Sequence, residues 1–168
     1  DGETLGDAVG YLKRTEIKKG TAGPLIKQQE TLYKTSTSAS NKSIVAGKTT
    51  RFRDEAGTDP IETTSAFLWY ANGSMKQRTM TTPVVPVGQH GDGTSATTRQ
   101  FFDEVGRSTF SQNERGIVNK QTYDAGTGRM TRSQVDVDQS EDGMPAGWTV
   151  GGPSTKLNAS CRTRQSAG

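Results

Sequence analysis

A short motif occurs twice in this sequence and constrains the fold more than any other feature. Residues 101–107 carry an aromatic residue, an aspartate, a glycine and an arginine, and the same order returns in residues 122–129. The motif positions are Phe102, Asp103, Gly106 and Arg107 in the first copy and Tyr123, Asp124, Gly128 and Arg129 in the second. Recurrence after roughly twenty residues is typical of architectures built from stacked repeats. Such chains usually form a wall or a surface rather than one enclosed pocket.

Each motif position has a physical role in a strand–turn–strand unit. The aromatic residue ends a strand, and its ring can lie against the next layer, where aromatic contacts stabilise stacking. The aspartate can accept backbone N–H groups of the turn, and the glycine supplies a positive φ. The arginine starts the return strand and can pair with an aspartate of its own or an adjacent layer. Residues 53–58 are a third, degraded copy, in which Thr58 occupies the arginine position.

The composition favours strands and turns over helices. Only 29% of the residues are hydrophobic, which is well below the roughly 45–50% of an average globular protein. Thr, Ser and Gly are abundant, which indicates an all-β, thin-walled structure whose strands each bury one face. Asn72-Gly73 is the strongest hairpin signal. Strands are predicted over residues 11–17, 26–35, 43–53, 63–70, 75–85, 97–103, 108–112, 117–123 and 130–137.

Two stretches interrupt this regularity. Residues 83–96 and 140–154 are rich in Gly, Pro and Ser and are predicted to be irregular loops inserted between strands. Both are too short to be domain linkers. We therefore expect residues 1–168 to form one continuous β-repeat segment, and we expect it to be a piece of a longer polypeptide.

The motif resembles the YD repeats of the RHS family, which includes teneurin-like proteins and the shells of insecticidal toxins. The resemblance is clearest over residues 100–137, where both motif copies and the intervening residues 113–118 follow the family's order. Phe102 replaces the usual tyrosine, and Gly126-Thr127 lengthens the second turn by one residue. The resemblance implies a spiralling antiparallel sheet, part of a hollow shell in large secreted or surface proteins. Some relatives enclose a toxic C-terminal segment; the family's self-cleaving aspartates have no matching segment here.

Few residues point to catalysis, a cofactor or a metal. Residues 47–49 (Gly-Lys-Thr) lack the upstream glycine of a phosphate-binding loop. The acidic residues 136–143 do not follow the EF-hand pattern, and His90 is the only histidine. Cys161 is the only cysteine, so the sequence holds no internal disulfide. The sequence therefore predicts no enzyme, no cofactor and no metal site.

Charge and hydropathy also limit the partners. The 21 Lys and Arg are nearly balanced by 18 Asp and Glu, and no focused basic patch of the kind that binds nucleic acid is present. No apolar run approaches the ~20 residues that cross a membrane. We expect no nucleic acid and no membrane insertion. The expected partners are flanking repeats of the same polypeptide, or identical copies, joined through open sheet edges, together with an encapsulated C-terminal cargo.

The sequence thus predicts a non-catalytic structural segment of a secreted or cell-surface protein of bacterial type. Its β-shell would enclose or display a toxin or effector. Two alternatives remain open. The chain could be an adhesin or carbohydrate-binding β-module that exposes Trp69, Tyr70 or Trp148, although burial of these aromatic residues is favoured. It could also be the subunit of a self-assembling extracellular fibre.

Overall fold

The fold is a single open antiparallel sheet. The computed structural model describes residues 4–36, 42–57 and 59–151. Each strand pairs with its neighbour in sequence, so the spatial order is β1 to β9, and β1 does not join β9. The strands are β1 Arg14–Lys18, β2 Leu25–Thr35, β3 Ile44–Phe52, β4 Pro60–Trp69, β5 Met75–Thr81, β6 Thr97–Phe102, β7 Ser108–Gln112, β8 Val118–Tyr123 and β9 Met130–Gln134. The predicted all-β class is confirmed.

All nine predicted strands are present, with their ends moved by a few residues. β5 ends at Thr81 rather than at residue 85, because Pro83 and Pro86 cannot donate to a strand ladder. β1 begins at Arg14. Upstream of it, Gly6 forms an isolated bridge to Tyr33, and residues 7–12 then lie outside the sheet. The helical content of the described residues is one 3-10 turn, Val87–Gln89, in the irregular loop 83–96. Among these residues, no helix has the length and apolarity needed to span a bilayer.

Burial alternates along β4, as expected for a sheet with two different faces. In β4, Ser65 and Phe67 are buried, whereas Ala66 and Leu68 on the opposite face are exposed. The period of two follows from the pleat, which points successive side chains to opposite faces. On the face of β4 that carries Phe67, the paired residue of β5 is Arg78, and its partner in β6 is Gln100. This face therefore changes from apolar to polar between β4 and β6.

The hydrophobic core lies under a segment that follows the last strand. Phe110 and Val118 form a buried cluster with Val137 and Trp148, and Phe101, Met144 and Val150 pack against it. Residues 135–151 follow β9 and cover one face of the sheet, and the described part of the predicted loop, residues 140–151, lies in this irregular covering segment. Asp136 has a φ of 56° at the point where the chain bends toward this face.

Two glutamine side chains of the sheet attach the covering segment, and a third glutamine bonds within that segment. The indole Nε1 of Trp148 donates to Oε1 of Gln77 at 3.0 Å, so the largest buried ring is also hydrogen-bonded. Gln112 donates to the carbonyl of Thr149 at 2.6 Å. Within the covering segment, Gln139 bonds the Trp148 carbonyl and the Val150 N–H. Polar side chains thus replace part of the apolar packing that the composition does not supply.

We predict that Val118→Ala will lower the free energy of unfolding by about 1–3 kcal/mol, because it removes two buried methyl groups from the core. Val118 is 0% exposed. Val105→Ala is the matched control at a residue that is 74% exposed, and its effect should stay within about 0.5 kcal/mol. Urea denaturation of both variants measures this. Equal effects would show that the covering segment does not bury Val118.

Candidate functional site

The first motif copy forms a tight turn between β6 and β7. The N–H of Gly106 donates to the carbonyl of Asp103 at 3.0 Å, and the N–H of Asp103 donates to the carbonyl of Arg107 at 2.9 Å. Oδ1 of Asp103 accepts the N–H groups of Val105 at 3.1 Å and Arg107 at 2.8 Å. Gly106 has a φ of 88°, which a residue with a Cβ adopts only with strain. The turn residues therefore act as one hydrogen-bonded unit.

The second copy makes the same kind of turn with one more residue. The N–H of Gly128 donates to the carbonyl of Asp124, and the N–H of Asp124 donates to the carbonyl of Arg129, both at 2.9 Å. Oδ1 of Asp124 accepts the N–H and the hydroxyl of Thr127, each at 2.7 Å. Thr127 therefore stabilises the longer turn by supplying two donors to the aspartate.

The two motif arginines differ in their contacts. Arg107 Nε lies 2.7 Å from Oδ2 of Asp103 and forms an ion pair within its own turn. Arg129 is exposed, and no hydrogen bond, ion pair or ring contact of its side chain occurs within the described residues. The expectation that the motif arginine pairs with an aspartate thus describes Arg107 and not Arg129.

A third turn of the same geometry begins at Asn113. The N–H of Gly116 donates to the carbonyl of Asn113 at 3.0 Å, and Oδ1 of Asn113 accepts the N–H groups of Arg115 and Ile117, each at 3.0 Å. The repeat order predicted the position of this segment but not that it forms a turn of the same type. The signal was present, because Asn or Asp followed three residues later by Gly is common to both turns.

The degraded copy is only partly within the described residues. The N–H of Gly57 donates to the carbonyl of Asp54 at 3.4 Å, and Gly57 has a φ of 70°. Thr58, assigned to the arginine position, lies outside the described residues.

The repeated unit extends two residues beyond the arginine. Thr109 and Thr131 are the extra residues of β-bulges at the start of β7 and β9. The Thr109 hydroxyl donates to the carbonyl of Phe101 at 3.3 Å, and the Thr131 hydroxyl donates to that of Thr122 at 3.1 Å. Each threonine thus binds a carbonyl beside its own bulge, where the ladder of backbone bonds is locally interrupted. The motif predicted from the sequence does not include this position.

The motif aromatic of the second copy connects two neighbouring hairpins. The Tyr123 ring centroid lies 4.8 Å from Cζ of Arg107. The Tyr123 hydroxyl oxygen lies 2.9 Å from the carbonyl of Ser108 and 2.9 Å from Oε1 of Gln121, and its one proton can serve either acceptor. Cation–π attraction of this kind contributes roughly 0.5–1 kcal/mol at exposed sites. The ring and its hydroxyl therefore tie the β8–β9 hairpin to the β6–β7 turn.

Earlier hairpins are joined in the same way at the same end of the sheet. The Tyr70 hydroxyl donates to the carbonyl of Phe102 at 2.7 Å, and Asn72 Nδ2 donates to the carbonyl of Glu104 at 3.4 Å. The Ser43 hydroxyl donates to the carbonyl of Gly73 at 3.0 Å. Because strands alternate in direction, the turns after β2, β4, β6 and β8 all lie at one end. We call these contacts between successive hairpin turns the turn ladder.

The turn ladder shifts the pKa of two of its members. Burial raises the pKa of Tyr70, and the nearby carboxylates of Glu104 and Asp103 raise it further. Partial burial acts to raise the pKa of Asp103, but the N–H and guanidinium of Arg107 and the N–H of Val105 outweigh it, so the net pKa is lowered. Asp103 is therefore held as a carboxylate inside its turn.

The other residues considered from the sequence do not come together. His90 follows the 3-10 turn with a φ of 63°. Lys48 of the Gly-Lys-Thr tripeptide lies in β3 and pairs with Glu62. In the acidic segment, Glu141 pairs with Lys120 at 2.8 Å. In the described ranges, no three His, Cys, Asp or Glu side chains converge as a metal site would require.

The large aromatic residues do not form a shared exposed platform. Trp148 is 3% exposed in the core. Trp69 is half-buried and stacks on Phe67 with ring centroids 5.7 Å apart.

A polar concavity of about 400 Å³ lies on the opposite face from the covering segment. Its lining includes Arg78, Met80, Thr98, Gln100, Ser111, Asn113 and Asn119.

No family model, no curated protein and no solved structure matches this chain.

We predict that Gly106→Val will lower the free energy of unfolding by about 1–3 kcal/mol. A Cβ at Gly106 would meet no atom within 4 Å, so the effect comes from the backbone conformation alone. Gly88→Val is the matched control, because its Cβ also meets nothing within 4 Å and its φ is not in the left-handed region. Thermal unfolding of both variants measures the difference. An unchanged melting temperature for Gly106→Val would refute the turn assignment.

We predict that Asp103→Asn will reduce the loss of stability at acid pH. The folded-state pKa of Asp103 is lowered, so its contribution exists above the unfolded-state pKa of about 3.9 and disappears as the pH falls through the folded-state pKa. The amide should retain the turn, as Asn113 does. Urea denaturation at several values between about pH 6 and pH 2 gives the free energy of unfolding as a function of pH. This free energy should fall less steeply with decreasing pH in Asp103→Asn than in the parent.

Asp103→Ala provides the contrast, because it removes the turn acceptor at every pH. It should lower stability at neutral pH more than Asp103→Asn does. If both variants show the same neutral stability, the side-chain oxygen of residue 103 does not hold the turn.

Proposed function

We propose that this chain is a non-catalytic structural segment of a large secreted or surface RHS-type protein, in which it forms part of a β-sheet shell. The turn ladder is the observation that carries the proposal. Hydrogen bonds from Ser43, Tyr70 and Tyr123 each cross from one hairpin to another. Contacts of this kind hold successive hairpins side by side, which is what a wall of repeated units requires.

The distribution of burial supports the same role. Six hydrophobic and six polar residues are buried among the described residues. Hydrogen-bonded polar side chains can be buried without a large penalty, so a sheet of this kind can be thin and still ordered. The proposal includes partners on the sheet edges, an enclosed or displayed C-terminal cargo, and an extracellular location of bacterial type. These follow from the likeness of the motif to YD repeats.

A carbohydrate-binding module is the second candidate, favoured by the polar concavity. Arg78, Gln100 and Ser111 occupy neighbouring positions on one face. The Nε of Arg78 is buried without a hydrogen-bond partner, and Gln100 and Ser111 make no side-chain hydrogen bonds within the described residues. Free donors and acceptors on an open face suit hydroxyl-rich ligands. The lining contains no aromatic residue on which a sugar ring would stack, so we rank this candidate second.

We predict that Tyr123→Phe will loosen the neighbouring hairpin. Loss of the hydroxyl removes the bond to Ser108 and should lower stability by about 1 kcal/mol. Hydrogen exchange measured by mass spectrometry should become faster in β7, a strand of the preceding hairpin, as well as in β8. Tyr11→Phe is the matched control, because the Tyr11 hydroxyl makes no hydrogen bond among the described residues.

Two outcomes would count against the structural proposal. Faster exchange confined to β8 and β9 would mean that the hairpins open independently and that the turn ladder does not couple them. Binding to a glycan array that is lost in Arg78→Ala would favour the carbohydrate-binding module.

A further inference from the structure

The two edges of the sheet differ in chemistry. At the β1 edge the chain leaves the sheet over residues 7–12, and the edge strand carries Arg14, Glu16 and Lys18. Charged residues and an interrupted strand are features that prevent another strand from pairing. β9, Met130–Gln134, forms the opposite edge, with one charged residue, Arg132, and a bulge at Thr131 that matches the bulge at Thr109 of β7. In the parts of the chain that the structure describes, no strand pairs with its outer side.

β9 occupies the same position in its repeat as β7 does in the preceding one. Each strand follows an aspartate turn and a motif arginine, and each begins with a bulge at a threonine that bonds the preceding strand. The outer side of β7 is paired with β8. The outer side of β9 therefore has the same bulge and motif arginine as the side of β7 that pairs with β8.

The contacts between β7 and β8 show what such an edge recognises. β8 runs antiparallel to β7, so Tyr123 at the end of β8 lies beside the start of β7. There the ring lies against Arg107 at 4.8 Å, and the hydroxyl is 2.9 Å from the carbonyl of Ser108. The corresponding residues of the outer edge are Arg129 and Met130. Both are exposed, and the guanidinium of Arg129 makes no hydrogen bond, ion pair or ring contact within the described residues.

We propose that the outer edge of β9 is an acceptor edge for one further antiparallel strand that ends in tyrosine followed by an Asx turn. The tyrosine ring would lie against the guanidinium of Arg129, and its hydroxyl would donate to the carbonyl of Met130. The occupant is a strand of the same repeat type. This inference rests on the proposed structural function and names the chemistry by which the sheet is extended.

A second copy of this chain that adds head to tail, through its β1, fits the acceptor edge poorly. β1 is the other edge of the sheet in the described residues, and in an antiparallel arrangement its end would lie beside the start of β9. Lys18 and Lys19 would then face Arg129, and like charges placed opposite each other on paired strands are destabilising. The sheet is therefore extended from β9 by a continuing repeat, not by head-to-tail addition of identical copies.

The test uses the full chain and a fluorescent peptide with the sequence of residues 117–125, which contains β8 and Tyr123. Fluorescence anisotropy at low salt measures binding to the parent, to Arg129→Ala and to Arg132→Ala. Arg129→Ala should weaken binding about two- to fivefold, as expected for loss of an exposed cation–π contact. Arg132→Ala is the charge-matched contrast, because it removes an equal charge from an exposed position on the same strand. Arg132 corresponds to Phe110 of β7, which lies opposite Lys120, so its loss removes a like-charge repulsion and should strengthen binding.

A peptide with leucine at the tyrosine position completes a double-mutant cycle. Its binding should be weaker, and it should no longer respond to Arg129→Ala. Hydrogen exchange should show that the peptide protects residues 130–134 and leaves residues 14–18 unchanged. Equal binding to the parent and Arg129→Ala, or protection at β1, would overturn the proposal.

Failure of this inference can be separated from failure of the proposed function. If the peptide fails to bind but Tyr123→Phe still loosens β7, the structural role stands and the acceptor edge does not. If sedimentation shows the chain associating with itself to the same degree in Arg129→Ala, the occupant is a second copy and the proposal is wrong.

Discussion

The sheet depends on turns in which the side-chain oxygen of an Asp or Asn accepts the backbone N–H groups two and four residues further along the chain. Asp103 and Asn113 make this pair of bonds within 2.8–3.1 Å, and each turn closes at a glycine of positive φ. Because the turn fixes where the return strand begins, it also fixes the register of the hairpin. A slip of one residue would turn every side chain to the other face. In a chain with few apolar residues, the turns therefore set much of the strand order that a larger core would otherwise impose.

The small core and the turn ladder act at different places. The core cluster of Phe110, Val118, Val137 and Trp148 covers one face of the C-terminal strands. The turn ladder runs along one end of the sheet and reaches the β2–β3 connection through Ser43. Glutamine side chains extend the core by bonding backbone groups of the covering segment. The result is a sheet whose order comes from many local bonds, each contributing roughly 0.5–1.5 kcal/mol.

The sequence was sufficient to predict the nine strands and the strand-breaking glycines, since both are encoded by short-range chemistry. It was also sufficient to identify Asp103 and Gly106 as partners in one turn. The cover over the sheet was not predictable in the same way, because Trp148 bonds Gln77 across 71 residues of sequence and no local pattern encodes that distance. The role of Thr109 and Thr131 escaped prediction because a bulge is visible only once two strands are paired. The ring contact of Arg107 also depends on a neighbouring strand, since β8 supplies Tyr123 whereas no described strand lies beyond Arg129.

Gly116 and Gly151 bring two backbones together. An added Cβ at Gly116 would lie 2.6 Å from Cα of Gly151, and one at Gly151 would lie 2.8 Å from the carbonyl oxygen of Arg115. The N–H of Gly151 donates to the carbonyl of Gly116 at 2.9 Å. The two backbones are therefore in direct contact here, with no room for a side chain between them. Any larger residue at either position would push the covering segment away from the strands and expose Trp148 to water.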